Sequence, residues 1–454
     1  MKSNLAEKQD YVSSTNACKA CMPLGACIAF KGIEACVPFL HGSQGCATYM
    51  RRYVISHFRE PIDIASSSLG ESEAVFGGGP NLKQGLVNVI NKYQAKSVGI
   101  ATTCLTETIG DNVPAMVWEF LAEAKLEGGD GALPVLIHAS TPSYAATHLE
   151  GFHAAVKAAI AQLAGPTARH SGVNILPGLI STADIRHLFH ISEDFGLNAT
   201  LLPDYSRTLD APAGCQYEIL PGGGTPLESI KKMGGAAATL AFGWIPDSQA
   251  GARDLYDRCG VPHFDLGLPI GLRQSDFLYQ ALEEISGRST PEGHAAMRGR
   301  LIDAMVDGHK YLAGKRAVVY GDQDLVIGLA SFLAEIGVQP VLCASGDRTP
   351  GFGEKIHAVT DGLVREPVSA QSGVDFYYIA RLSRELKPDL MVGNSKGYRI
   401  ARELDAPLVR VGFPIHDRFG GQRLHHLGYR GTQELFDRLV NAVIHNMQED
   451  SSIG

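Results

Sequence analysis

A short run of apolar and β-branched residues, closed by a turn and followed by an amphipathic stretch, recurs along this chain. SVGIATT (97–103) leads into a helical pattern from Glu107 to Ala124, GVNILPG (172–178) into one over 182–195, and RAVVYGD (316–322) into one over 324–336. DLMVGNS (389–395) is a further strand with a helical run behind it, and the strand-like LPVLIHAS precedes the loop TPSYAATH. Apolar strands alternating with amphipathic helices predict parallel sheets covered on both faces. The reading is therefore α/β, with three Rossmann-like, doubly wound parallel-sheet domains. Composition loosens at Ala164-Gly165-Pro166-Thr167 and near Gly308 to Gly314. This sets domains at 1–165, 166–312 and 313–412, with 413–454 returning to pack on the first.

Composition narrows the class. With 454 residues, 45% hydrophobic and 19% charged, the chain has material for an ample core. No apolar run reaches the roughly 18 residues of a membrane span. The opening MKSNLAEKQDYVSSTNACKAC lacks the apolar core of a secretory signal, and nine cysteines, an odd number, point to a reducing cytoplasm. A net charge of −8 and the lack of mixed basic and aromatic stretches argue against nucleic acid. The short cluster Arg51, Arg52, His57 and Arg59 reads as a solvated helix face. GGGP (77–80) and PGGGT (221–225) match neither a P-loop nor GxGxxG, so any ATP is bound elsewhere.

Three cysteines carry the candidate chemistry: Cys21 in ACMPLGA, Cys46 in HGSQGCATY and Cys104 in ATTCLTETIGD. Cys21 and Cys46 are 25 residues apart and Cys46 and Cys104 are 58 apart, so only the fold can gather them. Zinc sites pair their cysteines locally, and CKAC (18–21) has no second CxxC. Thiolates from separate turns suit a large iron–sulfur cluster, and three of them leave a coordination deficit for a partner to fill. Cys27, Cys36, Cys215, Cys259 and Cys343 read as core cysteines, and Cys18 stays open. Ser143 follows Pro142 ahead of a helical stretch and so also reads as a helix N-cap. Asp303 and Asp307 lie four apart on a helical face, a spacing open to a hard cation or to plain solvated charge.

At these loops the chain resembles the β-type subunits of nitrogenase component 1 and their nitrogenase-like relatives. CMPLGA, HGSQGCATY and TTCLTETIGDNV are similar to the family's three ligand loops in order and separation. HFREP (57–61), AVFGG (74–78), STPSYAATH (140–148), RGRLIDAMVDGHKYLAGKR (298–316), GDQDLVIGLASFLAEIG (321–337), RVGFPIHDR (410–418) and LGYRG (427–431) extend the resemblance over essentially the whole chain.

The resemblance implies an 8Fe-7S cluster of the P type, shared with a homologous α-type subunit, with Cys21, Cys46 and Cys104 as this chain's ligands. Ser143 corresponds to a serine that ligates the oxidised cluster, and Tyr49 to a tyrosine between that cluster and the catalytic cofactor. Phe76 matches an apolar contact for the dimeric ATP-hydrolysing iron protein. Glu60 and Arg59, with Asp303 and Asp307 of a second copy, match a mononuclear metal site joining two β-subunits in an α2β2 heterotetramer. The large iron–sulfur-based cofactor would sit on the α-type partner, so no residue here is catalytic in the bond-breaking sense.

The start NACKACMPLGACIAFKGIEAC is unlike the molybdenum enzyme's β-chain in detail, and the long N-terminal extension of that chain is lacking. ASSS (65–68), ATTCLTETIGD and GFPIHDRFGGQRLHHLGYRG are similar to nitrogenase-like β-chains, among which methylthio-alkane reductase, which cleaves carbon–sulfur bonds, is a candidate beside dinitrogen reduction. The competing class is a scaffold subunit for assembly of the nitrogenase cofactor, whose best-known chains keep one of the three cysteines. Protochlorophyllide-type reductases share the fold but not these loops.

Overall fold

The computed structural model describes residues 16–126, 133–214, 216, 218–246 and 250–449. Cys215 lies outside them. The expected alternation produces three parallel sheets. The first holds β1 (Cys36–His41), β2 (Ala65–Ser66), β3 (Ser97–Thr102) and β4 (Val135–Ala139) in the order β2-β1-β3-β4. Around it lie α1 (Met22–Lys31), α2 (Gln44–Phe58), α3 (Glu71–Phe76), α4 (Gly79–Tyr93), α5 (Cys104–Ile109), α6 (Val113–Leu126) and α7 (His148–Leu163).

The second sheet repeats that order as β6-β5-β7-β8, from β5 (Val173–Leu176), β6 (Ala199–Leu201), β7 (Ala238–Phe242) and β8 (His263–Leu266). Its helices are α8 (Thr182–Asp194), α9 (Leu227–Lys232), α10 (Gly251–Cys259) and α11 (Leu272–Ser286), and α12 (Glu292–Leu312) leads away from it. The third sheet, β11-β10-β9-β12-β13, comprises β9 (Arg316–Gly321), β10 (Gln339–Ser345), β11 (Ser369–Gln371), β12 (Leu390–Gly393) and β13 (Leu408–Arg410). With it come α13 (Gln323–Glu335), α14 (Phe352–Thr360), α15 (Phe376–Leu386), α16 (Tyr398–Glu403) and finally α17 (Gly428–Glu449).

β1 and β3 are buried along their whole length, as strands covered by helices on both faces must be. One face packs Val37, Phe39, Val98 and Ile100 against Leu82 and Leu86 of α4 and Val117 and Phe120 of α6. The other joins a continuous core that reaches from Leu24 through Phe152, Phe195 and Phe332 to Val443. α1 presses so closely on this face that a Cβ on Gly99 of β3 would stand 2.1 Å from the Phe30 ring.

Three local readings change. The stretch from Glu107 to Ala124 is two helices, because Gly110 turns left-handed (φ 81°) and Pro114 suits the first turn of a new helix. Gly308 is interior to α12, where it lets the ring of Phe436 in α17 approach; a Cβ there would meet it at 2.6 Å. From Phe413 the chain meets α2 through the Ile415 N–H, which donates to His57 Nδ1 at 2.9 Å. The last helix, α17, lies chiefly against α12 and α11. Among the described residues no helix is long and apolar enough to cross a membrane.

Candidate functional site

In a doubly wound sheet the crevice opens beyond the carboxyl ends of the two strands at which the order reverses. Here those strands are β1 and β3, which run side by side from Cys36↔Ser97 to His41↔Thr102. The turn after β1 delivers Cys46 in the first turn of α2, and the turn after β3 delivers Cys104 as the first residue of α5. The two turns are stitched together. Thr103 N–H donates to His41 O at 3.2 Å, and the hydroxyls of Thr103 and Thr106 donate to the same oxygen at 3.0 Å.

Cys21 arrives as the N-cap residue of α1, in extended conformation ahead of Pro23. An isolated antiparallel bridge joins it to Thr147, which N-caps α7. Ser143 stands between the thiols. Its hydroxyl bonds the Cys21 thiol, its N–H donates to Cys104 Sγ at 3.2 Å, and its Oγ accepts Met22 N–H at 3.1 Å. The N-cap reading of Ser143 is thus corrected. Thr147 caps the helix that follows Ser143, while Ser143 satisfies an orphan N–H of α1, 121 residues away. The Ser143 loop is itself held to β3, since Thr141 N–H donates to Thr102 Oγ1 at 2.7 Å and Thr141 Oγ1 donates to Thr102 O at 2.6 Å.

All three thiols are half-buried. Burial pushes the Cys21 thiol up, the Ser143 hydrogen bond opposes it, and the charges of Cys104 and Cys46 push it further up. A thiolate at Cys21, opposed by burial and by the charges of its two neighbours, calls for a cationic centre. Cys21 and Cys46 also stand at the N-termini of the ten-residue α1 and fifteen-residue α2, whose positive dipole ends favour anionic sulfur. Among the described residues no three His, Cys, Asp or Glu side chains converge closely enough for a single metal ion. Three half-buried thiols on separate loops are a donor set of the kind that iron–sulfur clusters take.

Tyr49 lies one turn beyond Cys46 on α2, 42% exposed, with its ring 4.7 Å from that of Tyr53. Burial and the Tyr53 hydroxyl push its phenol up, with the Cys21 charge adding to the rise. Phe76 ends α3 at 88% exposure beside Val75. What positions that loop is a residue the sequence reading passed over. Asp111 accepts the Gly78 N–H at 3.1 Å and bonds His41 Nε2 at 2.9 Å, while His41 Nδ1 meets Ser67 Oγ at 2.9 Å. This wholly buried histidine next to the Cys46 turn thereby ties the Phe76 loop to it. The acid of TIGDN is visible in the sequence, but its partner His41 lies 70 residues away.

Glu60 follows α2 and lines a groove of about 950 Å³ with Arg51, Arg52 and Arg207. Burial, with the Asp210 charge nearby, pushes its carboxyl up. Arg59 takes the left-handed cap position of α2 (φ 62°) and donates to His416 O at 3.1 Å. Asp303 and Asp307 are exposed on α12 beside Val306, itself 71% exposed. Neither aspartate lines the Glu60 groove. Of the remaining cysteines, Cys18, Cys27, Cys36 and Cys343 are buried and Cys259 half-buried. Burial pushes the Cys36 thiol up to about 11 and raises Cys18, Cys27 and Cys343 still more.

Residues 21–444 match the family model described as nitrogenase component 1 type oxidoreductase. The β chain of the nitrogenase molybdenum-iron protein of Clostridium pasteurianum is 35% identical over 440 residues, 96% of this chain and 94% of the relative. The nitrogenase vanadium-iron β chain of Trichormus variabilis is 34% identical over 450 residues, 97% of this chain and 96% of the relative. A solved structure of nitrogenase Cp1 at pH 6.5 superposes with a TM-score of 0.94 at 33% identity, covering 98% of this chain and 96% of the other.

Proposed function

This chain belongs to the nitrogenase component 1 type oxidoreductases, and on that premise we propose that it is the electron-relay, β-type subunit of a nitrogenase-like two-component reductase. Cys21, Cys46 and Cys104 would hold a P-type iron–sulfur cluster shared with an α-type partner. The observation that carries this reading is the convergence of three thiols and Ser143 at the β1–β3 crevice, on a face that also exposes Tyr49 and Tyr144. A cluster bound there supplies reversible storage of single electrons.

The chain's own residues do the rest. The thiolates and helix ends supply negative ligands in a partly positive setting. Ser143 keeps Cys21 and Cys104 in register. Val75 and Phe76 offer an apolar contact to an ATP-hydrolysing iron protein, and the Asp111–His41 link fixes that contact relative to the Cys46 turn. Tyr49 marks the side on which the α-type partner would carry the substrate-reducing cofactor. Glu60, Asp303 and Asp307 would join two copies across an α2β2 assembly. Molybdenum-iron and vanadium-iron β chains are similar to this chain to nearly the same degree, which supports the β-subunit role and leaves dinitrogen and thioethers as the substrate classes to assay.

The test is iron content and Mössbauer spectroscopy of the anaerobically purified complex with its α-type partner, reduced and then mildly oxidised. An eight-iron interface cluster, lost in Cys46→Ala, is the expected result. A lone four-iron cluster, or iron unchanged in Cys46→Ala, would overturn the ligand assignment and favour the cofactor-assembly scaffold.

A further inference from the structure

Where the three domains meet, the structure holds a cavity of about 40 Å³ that the relay reading does not use. α2 gives it His57 and Phe58 from its last turn, and the turn after β5 gives Leu179, Ile180 and Ser181. Leu268 and Ile270 follow β8, Gly412 and Phe413 follow β13, and His426 and Leu427 precede α17. The second and third sheets thus both turn carboxyl ends of their strands toward it, the edge at which doubly wound sheets take their ligands.

Most of the polar lining is spent on the fold, and what is left over is specific. Asp184, 1% exposed, accepts the N–H groups of His426 and Leu427 on Oδ1 at 2.9 and 3.1 Å, and its Oδ2 stands 3.2 Å from His426 Nδ1. A carboxylate so placed accepts the Nδ1 hydrogen, which leaves the neutral ring with its lone pair on Nε2. That nitrogen is buried without a partner. His57 has the opposite tautomer. Its Nδ1 accepts Ile415 N–H at 2.9 Å, so its hydrogen sits on Nε2, for which the described residues supply no acceptor. Ser181 Oγ accepts Asp184 N–H at 2.9 Å, and its own hydrogen likewise has no acceptor among the described residues. Burial keeps both rings uncharged, pushing His57 down to about 4 and lowering His426 as well.

Two donors and one acceptor are therefore unspent on a wall that is otherwise Phe58, Leu268, Ile270, Phe413 and Leu427, each 5% exposed or less. Polar groups left unpaired in the interior cost more than paired ones. A charged ligand is refused, because the one charge on the wall, Asp184, is already matched by its three donors. Water alone fits poorly. The cavity has roughly three times the room that one molecule needs, and a water against the apolar wall would lack the two to four partners that hold buried water.

We propose that this cavity is a binding site for a small uncharged molecule with a hydroxyl head and a short apolar body, in the class of the short-chain alcohols. The hydroxyl oxygen accepts from His57 Nε2–H or Ser181 Oγ–H, its hydrogen goes to His426 Nε2, and the body lies on Phe58, Ile270 and Phe413. Entry is from the side of Leu179, Ile180 and Ser181, where the wall is only half-buried. Binding is non-covalent, and the occupant ties together the three domains that supply the wall. The proposal stands apart from the relay reading, since it uses none of the residues of the thiol site.

The test uses the whole protein, purified anaerobically. Crystals pressurised with xenon report the cavity by anomalous scattering, and trifluoroethanol in solution, followed by its fluorine resonance, supplies the head as well as the body. Xenon should appear beside Ile270 and Phe413, and the trifluoroethanol line should broaden saturably and sharpen again when propan-1-ol competes. Leu268→Trp, which fills the cavity, should abolish both signals. His57→Phe keeps the volume of the ring and removes the donor, so it should weaken trifluoroethanol binding roughly tenfold and leave xenon in place. Native crystals with no xenon in the cavity, or with ordered water that neither xenon nor alcohol displaces, would overturn the proposal, and these measurements need no variant to fold. Trifluoroethanol that binds Leu268→Trp as well as the native protein would overturn it too. Equal affinity in His57→Phe would overturn the assignment of the hydroxyl head.

Discussion

Gly151→Ala asks whether Cys21 is held in place by the close approach of two helices. Gly25 of α1 and Gly151 of α7 face each other's backbones. A Cβ on Gly151 would lie 1.9 Å from Met22 O, and one on Gly25 would lie 1.7 Å from His148 O. Real Cβ atoms essentially never come within 3.0 Å of such a neighbour, so the methyl group must drive α1 and α7 apart by about 1.1 Å beside Cys21. Backbone cannot swing aside as a side chain can, which places the cost near the upper end of overpacking, about 3 kcal/mol. Alanine's better helix propensity offsets about 1 kcal/mol of this. The expected net loss is roughly 2 kcal/mol, read as a lower urea midpoint of the chain.

The same displacement would stretch the Met22–Ser143 bond, now 3.1 Å, past hydrogen-bonding length, so iron per complex should fall with stability. Gly299→Ala is the control. Gly299 lies inside α12 with nothing within 4 Å of the added carbon, and that variant should gain up to about 1 kcal/mol. Gly151→Ala with an unchanged midpoint and full iron would refute the claim that this approach sets the thiol.

Ser143→Ala removes the acceptor for Met22 N–H and the bond to Cys21, so about 1 kcal/mol of stability should go while the reduced iron count stays intact and the oxidised spectrum changes. Identical urea midpoints and oxidised spectra would leave Ser143 with no role at the site. His57 and His187 are pushed down by burial to about 4. Their folded values lie below the unfolded 6.5, so stability is complete above about 6.5 and is lost as pH falls toward 4. Each should cost on the order of 2 kcal/mol between pH 7 and pH 5, and a urea midpoint that does not fall over that range would contradict the burial of neutral imidazoles. Asp307→Ala should weaken association between two αβ halves, measured as assembly mass. An unchanged mass and metal count would make Asp303 and Asp307 ordinary surface charges.

Much of this was legible without coordinates because it is local. The run SVGIATT became β3, 182–195 became α8 and 324–336 became α13 to within a residue or two, since burial on both faces demands continuous apolar strands. Glu107 to Ala124 reads as one helix in the sequence but folds as two, because Gly110 and Pro114 are weak breakers inside an otherwise periodic pattern. The N-cap reading of Ser143 fails for a different reason. Its neighbours Pro142 and the following helical run make a plausible N-cap, yet the donor it satisfies belongs to Met22, and nothing in a local window points there. Asp111 and His41 were passed over likewise, being separated by 70 residues.

The sequence by itself determined which segments are strands and helices, that Cys46 and Cys104 fall in turns after or beside apolar runs, and the resemblance those loops carry. These follow from periodicity and turn chemistry, which act over a few residues. Only the tertiary structure decided that β1 and β3 are neighbours, which is what brings the turns of Cys46 and Cys104 together. It also decided that α1 lies on α7 closely enough to deliver Cys21 to Ser143. Apolar periodicity says which face of a strand is buried but not against which strand, because burial is non-directional and the choice of partner is made by packing among distant segments.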